Sequence, residues 1–508
     1  LRIRLTMSDH RSVFDFNVIG DGVTDDTVAF QAAIDAVVAG GGGRLWCGGL
    51  ASTILISGPI IVGSNTHIDA ANVKIDVSGW TGGYQQPVFS NPNYTASSII
   101  DHDIKFTNCK FDGSGLGGAA HMIRFRMVRN ILVEDCEFVD VDNGTAFLAT
   151  EDTWVIRCKV NGAYNCGIDH WDGAKRAYVL NCIVDGSDAQ GIQFTGTGTA
   201  LEDRTSEDFT CIGNTVRNVN AGGGGSGIIV NANDAGSTIT LARILGNLVE
   251  NCDIAYAITG SGSGFVVADN IAKNCTNTGF FVGADGGNYP SNITLTGHRV
   301  IDCGSLGSAP VIFGGGSGHV LSALAVRGHT EQFAIDMSGA DNWSIDGCDL
   351  EAGSSGKINI GAATTAYKID GAQFQTWTPD LMFGGSNTGI TYTQREGILV
   401  KQGRIVSGKG YFFLSNKGVA TGSAEIAGLP YTPILFGSPS VAQVVGVCPT
   451  YSGMTGMTAY TNAPLGLRMQ GSSIGIFGYS ATSSSQTNNG NFTNTSRVWF
   501  EFSYITAE

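Results

Sequence analysis

At 508 residues the chain has room for more than one domain and a large core, and its 73 Gly, 11 Pro and 14% charged residues describe turn-rich β structure rather than disorder. A net charge of −15 argues against nucleic acid or an anionic membrane as a partner, since either needs a basic surface. There is no run of about 18 apolar residues and no positively charged, apolar leader, so neither a membrane span nor secretion by the general pathway is expected.

The first predicted element lies between Phe14 and Gly43. Thr24, Asp25 and Asp26 supply N-cap and first-turn residues, Phe30, Ile34, Val37 and Val38 fall on one face, and Gly40 stands where a C′ residue belongs. These predict a short amphipathic helix after a Gly-Asp-Gly turn, covering the open end of whatever repeat follows. Gly49 to Gly79 reads as early strands. Trp80 to Ser98 then breaks the pattern with aromatic, Pro and polar residues, and two readings stand: an excursion presenting Trp80, Tyr84 and Tyr94 to a ligand, or a loop packed on the barrel.

From Ile104 to Gly198 one pattern recurs: an alternating apolar run into Cys, a polar turn, then a second alternating run. Cys109, Cys136, Cys158 and Cys182 are spaced by 27, 22 and 24 residues, and equivalent places follow at Asn214, Asn247, Asn270, His298, Leu324 and Cys348. A period in the twenties made of strands predicts the rungs of a right-handed parallel β-helix. Most of the 12 Cys sit at or near these places. Stacked there they act as small buried hydrophobes, and no spacing matches a zinc knuckle or a disulfide framework, so reduced thiols in a chain folded in a reducing cytoplasm are expected.

Aligning second strands on Gly144, Gly167, Gly191, Gly227 and Gly279 places Ile168, Ile192, Phe194, Ile228 and Val230 inward and Asp169, Trp171, Gln193, Thr195, Ile229 and Asn231 outward. An acid, an indole, an amide and a hydroxyl side by side make a sugar-binding surface. Glycosidic hydrolysis needs a protonated carboxyl and an ionised one held about 5 to 9.5 Å apart, a span of one or two rungs. Asp169 and Asp172 are the first candidates and Glu151 and Asp188 the reserves; each alone has the plainer reading of a solvated turn residue, as do Asp140 and Asp142. Trp171 offers a stacking platform, with Gln193, Thr195 and Asn231 as further contacts. His170 alternates inward, where a core histidine is the plain reading. With Tyr164, Lys175 and Arg176 it nevertheless keeps β-elimination from a uronate open, because that needs a base and a cation for the carboxylate. Glu202, Asp203, Glu207 and Asp208 sit in an insertion placed to wall the groove. The turns NANDAG (231–236) and GADGG (283–287) lack the calcium-binding nonapeptide repeat, and the Gly run at 222–225 lacks the strand and helix of a phosphate loop. No metal and no cofactor is assigned.

Periodicity fades after Ala366, and from Tyr392 Ser, Thr and Gly rise around alternating strands at Ile398 to Ile405, Ile474 to Tyr479 and Arg497 to Ile505. A separate β-sandwich is predicted, giving expected domains of 1–48, 49–380 and 381–508.

The stretch FNVIGDGVTDDTVAFQAAIDAVVAGGGGRLW resembles the N-terminal signature of the pectate-lyase-like β-helix family, and YTQREGILVKQGRIVSGKGYFFL, AEIAGLPYTP and VWFEFSYIT are similar to the jelly-roll modules that end phage tailspikes. The two resemblances together imply a phage tailspike depolymerase: a homotrimer on the virion, held by phage tail or baseplate proteins, acting outside the cell on a bacterial surface polysaccharide by endo-glycosidic hydrolysis. A lyase on a uronate-containing glycan and a non-catalytic glycan-binding adhesin are the alternatives.

Overall fold

A computed structural model describes residues 10–49, 53–83, 86–118, 120–196, 205–220, 223–232, 236–304, 307–361, 364–434, 444–456, 465–479 and 484–506. Tyr84, Glu202, Asp203 and part of the NANDAG turn fall outside them. The described residues form two compact units, 1–340 with 347–362 and 341–346 with 363–508.

The first unit is a right-handed parallel β-helix whose rungs each give one strand to each of three sheets. In the central rungs the first sheet takes Val128–Glu134, Glu151–Ile156, Lys175–Leu180 and Thr205–Ile212, and the second takes Glu137–Val141, Lys159–Ala163, Ile183–Ser187 and Thr215–Val219. The third takes Ala120–Arg126, Asn143–Leu148, Cys166–Trp171, Gln190–Thr195 and Ser226–Ala232. Every predicted corner from Cys109 to Cys348 falls between a first-sheet and a second-sheet strand, because that corner admits only one inward side chain per rung.

That column explains its own residue types. Where it holds Cys, each thiol caps a carbonyl two residues back, as Cys136 does with Glu134 at 3.3 Å and Cys158 with Ile156 at 3.4 Å. Where it turns to Asn, the amides form a ladder. Asn214 Nδ2 donates to Asn247 Oδ1 at 2.9 Å, Asn247 Nδ2 donates to Asn270 Oδ1 at 2.9 Å, and each Oδ1 also accepts the backbone N–H of the Asn above. All 12 cysteines are free thiols, and burial pushes Cys136, Cys158 and Cys182 well above the usual thiol range. A second Cys column, Cys252, Cys275 and Cys303, follows the second-sheet strands.

Glycine at the second position of the third-sheet strands that begin at Asn143, Cys166, Gln190, Ser226 and Thr278 is a packing requirement. A Cβ on Gly167 would lie 2.7 Å from the carbonyl oxygen of Gly191 and 2.6 Å from Val184. Inside, Phe125, Phe147, His170 and Phe194 stack with ring centres 5.3 to 6.3 Å apart.

The capping helix spans Thr27–Ala39 and buries Phe30, Ala33, Ile34 and Val37, with Phe30 edge-on to Phe89 at 6.4 Å. Val38, expected on that face, is 38% exposed, and Gly40 has φ −76°; the left-handed turn is made by Gly41 and Gly42. Asp26 does not cap the helix with its side chain but reaches back to accept the N–H groups of Ile19 at 2.8 Å and Gly20 at 3.0 Å.

The second unit is antiparallel. Ala372–Trp377, expected at the end of the solenoid, pairs with Ile390–Gln402, which pairs with Ile405–Lys417, which pairs with Phe492–Ile505. The strand expected over Ile398 to Ile405 is instead a hairpin, turning at Gly403 with φ +57° between Gln402 and Ile405. Trp377, Leu381, Leu399, Phe412, Ile474 and Phe500 share one core.

Asn247→Ala removes two rungs of the amide ladder and strands the buried Asn214 N–H and Cys211 C=O, so a loss of about 3 kcal/mol is expected, read as an earlier calorimetric transition. His170 is buried, finds no hydrogen-bond partner for either ring nitrogen among the described residues, and is held by burial to about 3. Its folded value lies below its unfolded one, so its contribution is complete above about pH 6.5 and is lost as pH falls toward 3. His170→Phe is therefore expected to narrow the gap between transition temperatures measured at pH 7 and pH 5.

Candidate functional site

Alternation on the third sheet sets two outward files. One runs Arg124, Ala146, Asp169, Gln193, Ile229, and the other places Arg126, Leu148 and Trp171 above Asn231 and Thr259. Around Asp169 the outer face closes into a site.

Arg124 is its cation. The guanidinium carbon lies 5.7 Å from the centre of the Trp171 ring and 5.8 Å from that of Tyr94. Tyr94 is brought there by a pinned loop: Arg126 Nη1 donates to the carbonyls of Tyr94 at 2.9 Å and Ala96 at 3.0 Å. The Asp101 carboxylate accepts from Asn91 Nδ2 at 2.7 Å and Asn93 Nδ2 at 2.9 Å. Trp80, by contrast, is buried against the barrel.

Asp169 points outward as the alternation requires, yet it is 0% exposed. The indole N–H of Trp171 and Asn143 Nδ2, the latter at 3.2 Å, both donate to its Oδ2, while Oδ1 has no partner among the described residues. Burial drives this carboxyl well above its ordinary value and Asp172 adds to the shift, which disposes Asp169 toward its protonated form. Asp172 is 5% exposed and left-handed, with φ 54°.

One rung earlier lies a second buried group. Asp142 Oδ2 is 3.2 Å from His121 Nε2, and burial pushes both toward their neutral forms, Asp142 up to about 6 and His121 down to about 3. Asn143, next to Asp142 in the chain, holds Asp169: its Nδ2 donates to Asp169 and its Oδ1 accepts the Cys166 N–H at 3.3 Å. Below Trp171 runs a polar rail in which Gln193 Nε2 donates to Thr195 Oγ1 at 2.5 Å and Thr259 Oγ1 to Asn231 Oδ1 at 2.8 Å.

The structure thus gathers Asp169, Asp172, Trp171, Gln193, Thr195 and Asn231 on one face. His170 is corrected to a core residue, stacked between Phe147 and Phe194. Arg176 and Glu151 are paired with each other at 3.0 Å, and Arg176 also binds Asp152 at 2.6 Å; these pairs sit on the first sheet beyond the Asp172 corner with Lys175. Asp188 is exposed in the turn before Gln190–Thr195, at the opposite end of the strand from the Asp172 corner. Tyr164 stands at that same far corner, 45% exposed. Asp208 is tied to Arg243. Among the described residues no group of three His, Cys, Asp or Glu is placed to hold a metal ion. Arg124 and the buried pair of His121 with Asp142 were not among the predicted site residues, although the alternation in IRFR already marks Arg124 and Arg126 as outward.

The family described as a right handed beta helix region matches residues 60–206. The mannuronan C5-epimerase AlgE2 of Azotobacter vinelandii is 27% identical over 242 residues, which is 43% of this chain and 22% of that protein. A related epimerase, AlgE1, is 28% identical over 43% of this chain and 16% of its own length, so the chain spans less than a quarter of the curated relatives it matches. Among solved structures, the family 28 exopolygalacturonase of Yersinia enterocolitica aligns with a TM-score of 0.53 at 14% identity, covering 70% of this chain and 79% of that one. The Dettilon tailspike protein aligns over 98% of this chain and 94% of its own with a TM-score of 0.48 at 14% identity. The likeness to the exopolygalacturonase shows the fold.

Arg124 lowers Asp142 electrostatically, so Arg124→Ala is expected to move the Asp142 titration upward from about 6, measured by carbon NMR on aspartate-labelled protein.

Proposed function

We propose that the chain is a phage tailspike that binds an acidic bacterial surface polysaccharide along the third sheet and cleaves it there. The observation that carries this reading is a fully buried carboxyl, Asp169, beside an arginine held between two aromatic rings on an outward strand face. An outward face has no structural need for such a group. The signatures at the two ends of the chain support the tailspike setting, and with it a homotrimer held on the virion by tail or baseplate proteins and working outside the cell.

In the hydrolytic reading Trp171 and Tyr94 stack on sugar rings and Arg124 pairs with a uronate carboxylate. Asp169 gives its proton to the glycosidic oxygen as that bond breaks. Water adds to the anomeric carbon and loses a proton to Asp172. Access to Asp169 requires the Trp171 indole to swing off its carboxyl.

β-Elimination is the second reading, and the epimerase relatives together with Arg124 favour it. Asp172 takes the C5 proton of a uronate, Arg124 offsets the charge that builds on its carboxylate, and the C4–O bond then breaks as Asp169 gives a proton to the leaving oxygen.

The test is degradation of a panel of capsular, exopolysaccharide and O-antigen preparations, followed by new reducing ends and by the absorbance of an unsaturated uronate. Reducing ends without the chromophore, falling at least about a hundredfold in Asp169→Asn and Arg124→Ala, are expected. A chromophore would replace hydrolysis by elimination. Binding without shortening would make the chain an adhesin, and undiminished cleavage by Asp169→Asn would remove that residue from the chemistry.

A further inference from the structure

Beside the site lies a cleft of about 350 Å³ walled by Pro59, Ile61, Trp80, Pro87, Pro92 and Tyr94. Its polar lining is Gln86, Ser90 and Asn91, and no charged side chain stands among the described residues that line it.

The cleft is in register with the site. Ile61 pairs with Ser90, and the pairing of Phe89 with Ile123 makes Ser90 the neighbour of Arg124. The outward file through Arg124 and Asp169 therefore continues as Ser90 and Ile61, one and two rungs on, at about 4.8 Å per rung. A pyranose advances a glycan chain by roughly one rung, so a sugar next to the one held at Arg124 arrives at the cleft. Tyr94 serves both places, turning toward Arg124 while lining the cleft.

The walls are preformed. The Trp80 indole lies so close over Gly82 that a Cβ there would come within 2.2 Å of it, and the Ser90 carbonyl accepts the Val62 N–H at 2.8 Å. Apolar, uncharged walls penalise a carboxylate or sulfate and reward a buried methyl group.

We infer that this cleft takes a neutral sugar residue bearing a methyl group, from a 6-deoxy position or an N-acetyl substituent, next to the acidic residue bound at Arg124. The inference rests on the glycan reading of the site and adds a repeat in which an acidic and a methyl-bearing sugar are neighbours.

The test is NMR titration of the full chain with methyl α-L-rhamnoside, N-acetylglucosamine, glucose and glucuronate, repeated with Ile61→Trp, which fills the cleft, and with Arg124→Ala. At least one methyl-bearing sugar is expected to bind about tenfold or more tightly than glucose, to show its methyl in contact with the protein, and to be weakened about tenfold by Ile61→Trp but not by Arg124→Ala. The rhamnoside and N-acetylglucosamine arms tell the two methyl sources apart. Gln86→Trp, at the cleft lining, gives the same reading should Ile61→Trp fold poorly. Parity with glucose, indifference to both tryptophan variants, or no contact at all overturns the cleft assignment. Glucuronate binding that is lost in Arg124→Ala would leave the glycan reading standing in each of those cases, and its absence would count against that reading separately.

Discussion

Every strand of a parallel β-helix leaves half of its backbone N–H and C=O groups for the next rung to satisfy, and that requirement organises the rest of the first unit. Residues at the same place in successive rungs must lie over one another, so each position becomes a column with its own chemistry. Thiols fill the first corner while each can cap a local carbonyl, and asparagines replace them where the column also carries backbone hydrogen bonds from rung to rung. The first rung has nothing above it, and the helix over Phe30 and Ile34 supplies that cover.

Columns of this kind are legible in a sequence because repetition betrays them. The corner residues from Cys109 to Cys348, the glycine file and the inward parity of His170 all follow from spacing and alternation. What was not legible is anything set by neighbours on other rungs. Parity gives Asp169 its direction, but its burial comes from Trp171 folding back over its own strand and from Asn143 one rung away. Arg124 gains its meaning from Tyr94, which a loop fixed by Arg126 and Asp101 carries into place. In the second unit, alternation runs smoothly through Gln402 and Ile405, so the chain reversal at Gly403 leaves no break in the hydrophobic pattern.

The charge economy of the site differs from that of the surrounding surface. Several surface arginines pair with carboxylates: Arg176 with Glu151 and Asp152, Arg157 with Glu134 and Asp135, Arg217 with Asp185. Such exposed pairs contribute little to stability. At the site, Asp169 and Asp142 are disposed toward the neutral form by burial, so in a chain with a net charge of −15 these two acids repel an anionic glycan less than ionised carboxylates would.

The strand Cys166–Trp171 shows how little the two sides of such a wall constrain each other. Its inward residue continues a stack of rings that differs only slightly from rung to rung, while the outward file reads Arg, Ala, Asp, Gln and Ile with no repetition at all. Exterior letters can therefore be rewritten one at a time on an unchanged spine. A lineage of such proteins is free to change what its outer face meets by point substitution, with folding held constant, for as long as the interior columns are left alone.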